Sequence, residues 1–166
     1  MITEQAAWLA GFIDGEGTIG LQRRKVKLKS GRHVFQFLPK MSVANTDLAT
    51  IKFIAKITNG SRSSWPKQRK TNSIVQGKSV IGYKQCYCVQ WAAERARILL
   101  RELLPFLRTK KKQAQLVLSC PKGSKGTVKG SKSRDQLNDK TRAKQEDIYW
   151  KIRKLNSGKE RDTPNE

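Results

Sequence analysis

Leu9-Ala10-Gly11-Phe12-Ile13-Asp14-Gly15-Glu16-Gly17 is a run of apolar and small residues that closes on two carboxylates and a glycine. The apolar segment begins upstream with Ala6, Ala7 and Trp8, and Thr3 with Glu4 supplies a helix start: a capping hydroxyl and an acid at the positive end of the dipole. The helix is apolar nearly all round, which predicts burial on more than one side. Ala7, Gly11 and Gly15 are spaced four apart, so one face carries almost no side chain and a second backbone can approach it. The run is too short to span a bilayer. Gly17 is a natural stop. Asp14 and Glu16 therefore fall at the negative end of the dipole, where an anion is disfavoured. A divalent cation held by carboxylate and free carbonyl oxygens removes that conflict. The alternative is a buried helix with two solvated acids at its exit.

The rest of the chain sharpens the contrast. Residues 1–119 hold 22 Lys and Arg but six acids, and two of the six lie within this run. With 166 residues and a formal charge of +22, the chain suits one domain with a modest core whose leading partner class is nucleic acid. An anionic membrane is the competing polyanion, but no apolar stretch is long enough to cross one, and Met1-Ile2-Thr3-Glu4 is no signal-peptide start. Three cysteines and the single His33 give no zinc spacing. They read as reduced thiols in an intracellular compartment and a turn or surface histidine.

Beyond Gly17 the pattern is strand, turn, strand, helix, strand, strand, helix. Thr18–Arg24 alternates as a strand, and 34–37 with 41–44 forms a second one interrupted or bulged at Pro39. Asn45 or Thr46 caps a helix with Leu48, Ile51 and Ile54 on its stripe, ended by Asn59-Gly60. Strands are expected over 61–70 and 84–91, with a polar loop through Gly77 and Gly82 between them. Helices follow with Ala92, Ala96, Leu99, Leu100 and Leu103, closed by Pro105, and over 111–118. The fold class is α+β: an αββαββα core over 1–119 with helices on one face of a four-stranded antiparallel sheet. The other face carries Gln22, Arg24, Lys27, Lys40, Arg62, Lys67, Arg69 and Lys84, a surface suited to a DNA major groove. Trp65 and Tyr87 are expected to pack within the sheet. A Gly/Ser/Lys linker over 120–134, a helix packing back on the core over 135–156 and a frayed tail over 157–166 complete the chain.

The run 9–17 resembles the signature of the LAGLIDADG homing endonucleases. Seven of its nine positions agree when Glu16 counts as the acidic variant; Phe12 and Gly15 depart. A second stretch, Leu104-Pro105-Phe106-Leu107-Arg108-Thr109-Lys110-Lys111-Lys112-Gln113-Ala114, resembles the segment that precedes the last core helix in members with one copy of the motif. The resemblance covers 5–119. It implies a homodimeric, intron-encoded, sequence-specific DNA endonuclease that breaks both strands by metal-dependent phosphodiester hydrolysis. In that reading Glu16 and the Gly15 carbonyl hold Mg²⁺, for which Mn²⁺ or Ca²⁺ could stand in, and Lys110 is the catalytic lysine. Asn45 matches a water-organising position. The second such position falls near Ala49, which cannot serve; either Lys40 or Lys52 substitutes or the water network differs, and the position is left unassigned. Lys111 and Lys112 contact the DNA backbone. Ala7, Gly11, Asp14 and Gly15 form the dimer interface. The implied partners are a long pseudo-palindromic duplex, a second copy of the chain and the host intron RNA. The compartment is an organelle (chloroplast or mitochondrion) or a prokaryotic cytoplasm. Two other functions fit the same resemblance: an RNA-binding intron maturase, or a DNA-binding regulator without catalysis. An acid inside a basic groove argues for the nuclease.

Overall fold

The computed structural model describes residues 1–27, 31–59, 74–75, 78–79, 86–122 and 139–157. In chain order these form α1 (Thr3–Glu16), β1 (Gly17–Lys27), β2 (His33–Asn45), α2 (Leu48–Ile57), β3 (Ile74–Val75), β4 (Lys78–Ser79), β5 (Tyr87–Ala92), α3 (Ala93–Leu103), α4 (Lys111–Ser119) and α5 (Asp139–Ser157). The main sheet is antiparallel with the order β1-β2-β5. The strand expected over 61–70 lies outside the described residues, so the described sheet has three strands. β3 and β4 pair with each other inside the stretch read from sequence as a loop.

Strand alternation assigns the two faces of the sheet. Ile19, Leu21, Phe37, Met41, Val43, Val89 and Trp91 are buried and point one way, toward Leu9, Ala10 and Ile13 of α1 and Leu99, Leu100 and Leu103 of α3. Their neighbours, Thr18, Gly20, Gln22 and Arg24 on β1 and Lys40 and Ser42 on β2, take the other face. The long β1–β2 ladder runs without a break from Gly17↔Val43 to Lys27↔His33. No bulge forms at Pro39, which simply faces Leu21. β5 reaches only as far as Lys40, so among the described residues β2 has one strand neighbour at Pro39, and the missing N–H costs no second ladder bond there.

Helix ends differ from expectation at two places. The residue before α1 is Ile2, which supplies no side-chain cap, and Thr3 is already helical. The cap of α2 is Asp47, whose carboxylate accepts from the Ala49 and Thr50 amides. Asn45 instead closes the turn before it, its side-chain oxygen accepting from the Asp47 amide at 2.8 Å. Asp is as good a cap as Asn, and its position two residues later lets both carboxylate oxygens find amides.

One structural residue gives no sequence signal. Arg97 is 4 % exposed and donates to the carbonyls of Val117, Leu118 and Cys120 at 3.3, 3.1 and 2.6 Å. It is a charged C-cap for α4 delivered from α3, where a cation suits the negative dipole end. α5 then packs back through buried Ile148 and Ile152, with Tyr149 against Phe37. Its last turn ties down the outer strand, since Asn156 donates to the Ile19 carbonyl at 3.1 Å. Leu155, in the same helix, is exposed.

Candidate functional site

The motif helix α1 ends against the start of α4, and each end completes the other. The Asp14 carboxylate accepts from the Arg108 amide at 2.7 Å and the Lys110 amide at 2.9 Å. These donors belong to the turn that opens α4, whose cap residue Lys110 offers no capping side chain of its own. In return the Lys110 ammonium donates to the carbonyls of Ile13 at 2.8 Å and Asp14 at 2.6 Å, and the Thr109 hydroxyl donates to the Asp14 carbonyl at 3.3 Å. A remote acid thus caps one helix and a remote cation caps the other, each matched to the local dipole. Gly17 makes the junction tight: a Cβ there would lie 2.8 Å from the Ile13 carbonyl oxygen, the same oxygen that Lys110 binds.

This geometry separates the two motif acids, which sequence alone treats as a pair. Burial pushes the Asp14 carboxyl up, but the Arg108 and Lys110 amides and Thr109 pull it down further, so it sits below its ordinary value of 3.8. A depressed carboxyl contributes stability above its unfolded value and loses it as pH falls through the folded one. Asp14→Asn replaces two acceptors by one acceptor and one donor, leaving an amide unpaired, and is expected to cost about 1–3 kcal/mol at pH 7. The gap between wild type and variant in urea unfolding should narrow on acidification below the ordinary aspartate range. Equal stability at neutral pH would exclude the capping role.

Glu16 is exposed at the helix exit. No described residue donates to its carboxylate or to the Gly15 carbonyl. Both are hard oxygen donors of the type that Mg²⁺, Mn²⁺ or Ca²⁺ takes. Among the described residues no group of three or more acids, histidines or cysteines comes together. One chain therefore offers part of a coordination sphere, open to oxygens from a second copy, a phosphate or water. The residues fit a divalent cation as such a partial site.

Asn45 is the last residue of β2, opposite Tyr87, and its side-chain oxygen is engaged in the turn to α2. Ala49 and Lys52 sit exposed on α2, and Lys40 lies on the sheet. Gln22, Arg24 and Lys40 share the free face of the sheet by alternation and register. Lys27 falls on the opposite parity, exposed with Arg23 and Lys25 where the core face runs out. Among the described residues the free face carries no acid, and Gln36, Ser42 and Gln90 give it amides and a hydroxyl beside its cations. Arg62, Lys67, Arg69 and Lys84 lie outside the described residues, as does Trp65. Lys111 and Lys112 are exposed in the first turn of α4.

Ala7, Gly11 and Gly15 are exposed, and a Cβ added at Gly11 or Gly15 would meet nothing within 4 Å. Trp8, 42 % exposed, stacks on Phe12 and meets the edge of Phe53, itself 43 % exposed, so a broad apolar shelf borders the bare stripe. The helix expected to be buried on several sides buries only Ala6, Leu9, Ala10 and Ile13 within its own chain. Asp14, expected at the interface, turns its carboxylate into its own chain.

No family model and no curated protein matches this sequence. Solved structures do. A homing endonuclease, I-CvuI, in complex with its target in the presence of Ca, superposes with a TM-score of 0.67 at 20 % identity, over 97 % of this chain and 87 % of that one. The archaeal intron-encoded homing endonuclease I-Vdi141I, complexed with DNA, gives 0.63 at 14 % identity over 98 % and 89 %. The fold is that of the homing endonucleases. I-TnaI, also a homing endonuclease, matches over 92 % of this chain and 96 % of that one with a TM-score of 0.52 at 16 % identity. The homing-endonuclease fold accordingly spans nearly the whole chain, α5 included. Among the described residues no helix is long and apolar enough to cross a membrane.

Proposed function

We propose that this chain is a homodimeric, sequence-specific DNA endonuclease of the LAGLIDADG type. The observation that carries the reading is the division of labour at the end of α1. Asp14 is locked into the fold, while Glu16, two residues on, points out with no described partner in a strongly cationic chain. A binding protein gains nothing from an unpaired acid on that surface, whereas phosphodiester hydrolysis uses one to hold a cation against phosphate.

Two copies would meet through the stripe of Ala7, Gly11 and Gly15, with the Trp8, Phe12 and Phe53 shelf at its border, and this brings the two Glu16 residues together near a dyad. Glu16 and the Gly15 carbonyl would hold the divalent ion. When bound, such an ion lowers the pKa of coordinated water and offsets charge on phosphate oxygens. Lys110 sits on the Ile13 and Asp14 carbonyls of the helix end that carries Glu16, so a cation is already fixed there and would face an approaching phosphate without reorganising. The free face of the sheet, with Gln22, Arg24 and Lys40, suits the major groove: Arg and Gln present forked donors and acceptors to base edges. Lys111 and Lys112 open α4 at its positive end, an unfavourable place for cations that a phosphate would relieve. Excess positive charge adds a sequence-independent, salt-sensitive term.

The test is incubation of the protein with a randomised duplex library in Mg²⁺, beside a matched reaction with excess chelator. New double-strand ends should form only in the first. Binding without cleavage in Mg²⁺ and in Mn²⁺ would favour the regulator, and preferential binding of intron RNA the maturase.

A further inference from the structure

The outer strand β1 and the last turn of α5 enclose a cleft of about 170 Å³ on the sheet's free face. Lys40 and Arg153 both line it, together with Thr18, Ser42 and Asn156. Register explains the grouping: Thr18 faces Ser42 and Gly20 faces Lys40 across the β1–β2 ladder, so these side chains rise together. Gly20 keeps the floor clear, since a Cβ there would already touch Ile152 and Asn156 at 3.7 and 3.8 Å.

The charge in this cleft is uncompensated by any described residue. Neither Lys40 nor Arg153 makes an ion pair with one, and the lining contains no acid. Of the acids on α5, Glu146 pairs with Arg23 at 3.8 Å and Asp147 with Lys151 at 2.7 Å. Two cations confined to one small volume repel, and an anion between them removes the repulsion. The Thr18 and Ser42 hydroxyls and the Asn156 carboxamide, with one N–H beyond its bond to Ile19, suit a tetrahedral oxyanion.

We propose that this cleft holds a backbone phosphate of the bound nucleic-acid strand, making α5 part of the binding surface. The proposal rests on the nuclease reading and deepens it. Thr18 follows Glu16 by two residues along the same chain, so a phosphate seated here flanks the one presented to Glu16. The clamp therefore fixes how the strand enters the site and carries no base preference of its own.

The experiment measures duplex DNA affinity against salt concentration for wild type, Arg153→Gln, Lys40→Gln and the double variant, with circular dichroism to confirm folding. Each single change should weaken binding by about three- to tenfold at low salt and reduce the slope of log affinity against log salt by about one. The double variant should lose less than the sum of the two, as expected for side chains on one phosphate. Wild-type DNA binding with an unchanged slope in Arg153→Gln overturns the proposal; if that variant does not fold, Lys40→Gln decides by the same criterion. If wild type binds no duplex, the nuclease reading fails, and titration with inorganic phosphate decides the cleft by itself. A shift of the Asn156 side-chain amide signals that disappears in Lys40→Gln supports an anion site, and no shift overturns it.

Discussion

Glu16→Gln is expected to lower DNA cleavage by about two orders of magnitude or more while changing duplex affinity by less than about tenfold. The substitution is nearly isosteric and touches no described hydrogen bond, so the fold should be indifferent to it. What it removes is the one negative oxygen ligand that the helix end offers to a cation. It also removes an anion that repels phosphate, so binding should hold or tighten while cutting disappears. That pairing of outcomes is specific: a folding defect would take binding and cleavage down together. A variant that cuts near the wild-type rate would mean Glu16 is not the metal-holding acid. The same change at Asp14 should behave in the opposite way, costing stability first, because Asp14 holds the start of α4 while Glu16 faces outward.

Gly11→Leu should convert a dimer to a folded monomer. Within one chain the added side chain meets open space, since nothing lies within 4 Å of its Cβ. Across a close-packed dyad the same volume has no room, and overpacking of this kind typically costs about 1–3 kcal/mol at each site. It would be present twice in a symmetric interface. Sedimentation should therefore show half the wild-type mass, with the far-ultraviolet spectrum retained and double-strand cleavage lost. A variant that still sediments as a dimer would place the interface elsewhere on the molecule. A chain that unfolds outright would show that the stripe is buried by its own protomer, against the exposure seen here.

Much of the fold was legible because it depends on local periodicity. The apolar run ending in Gly17, the Leu99–Leu103 stripe and the alternation through β1 each fix an element by short-range pattern. What local pattern does not fix is tertiary. Pro39 looks like a break, yet it is harmless because β5 stops at Lys40, which no local pattern reveals. Asp47 outcompetes Asn45 and Thr46 as a cap through a difference of two residues. Arg97 looks like one more surface cation in a basic chain, and only the approach of the α4 end from a segment some 20 residues away makes it a buried cap. The candidate site divides in the same manner. That two acids in the motif matter follows from their scarcity, but which of them faces outward depends on amides at Arg108 and Lys110. Those amides lie more than 90 residues away in the chain. Composition groups Lys27 with Gln22 and Arg24, and strand parity puts it on the opposite face. The cleft between β1 and α5 had no sequence signature, because Lys40 and Arg153 become neighbours only when the last helix folds back.

The most direct measurement is the sequence of the ends produced from the randomised library in Mg²⁺. One consensus with approximate two-fold symmetry is expected, cut on both strands at positions related by that symmetry, since two Glu16 residues about a dyad act on opposite strands. Ends scattered without a consensus, or nicks confined to one strand of an asymmetric site, would contradict it.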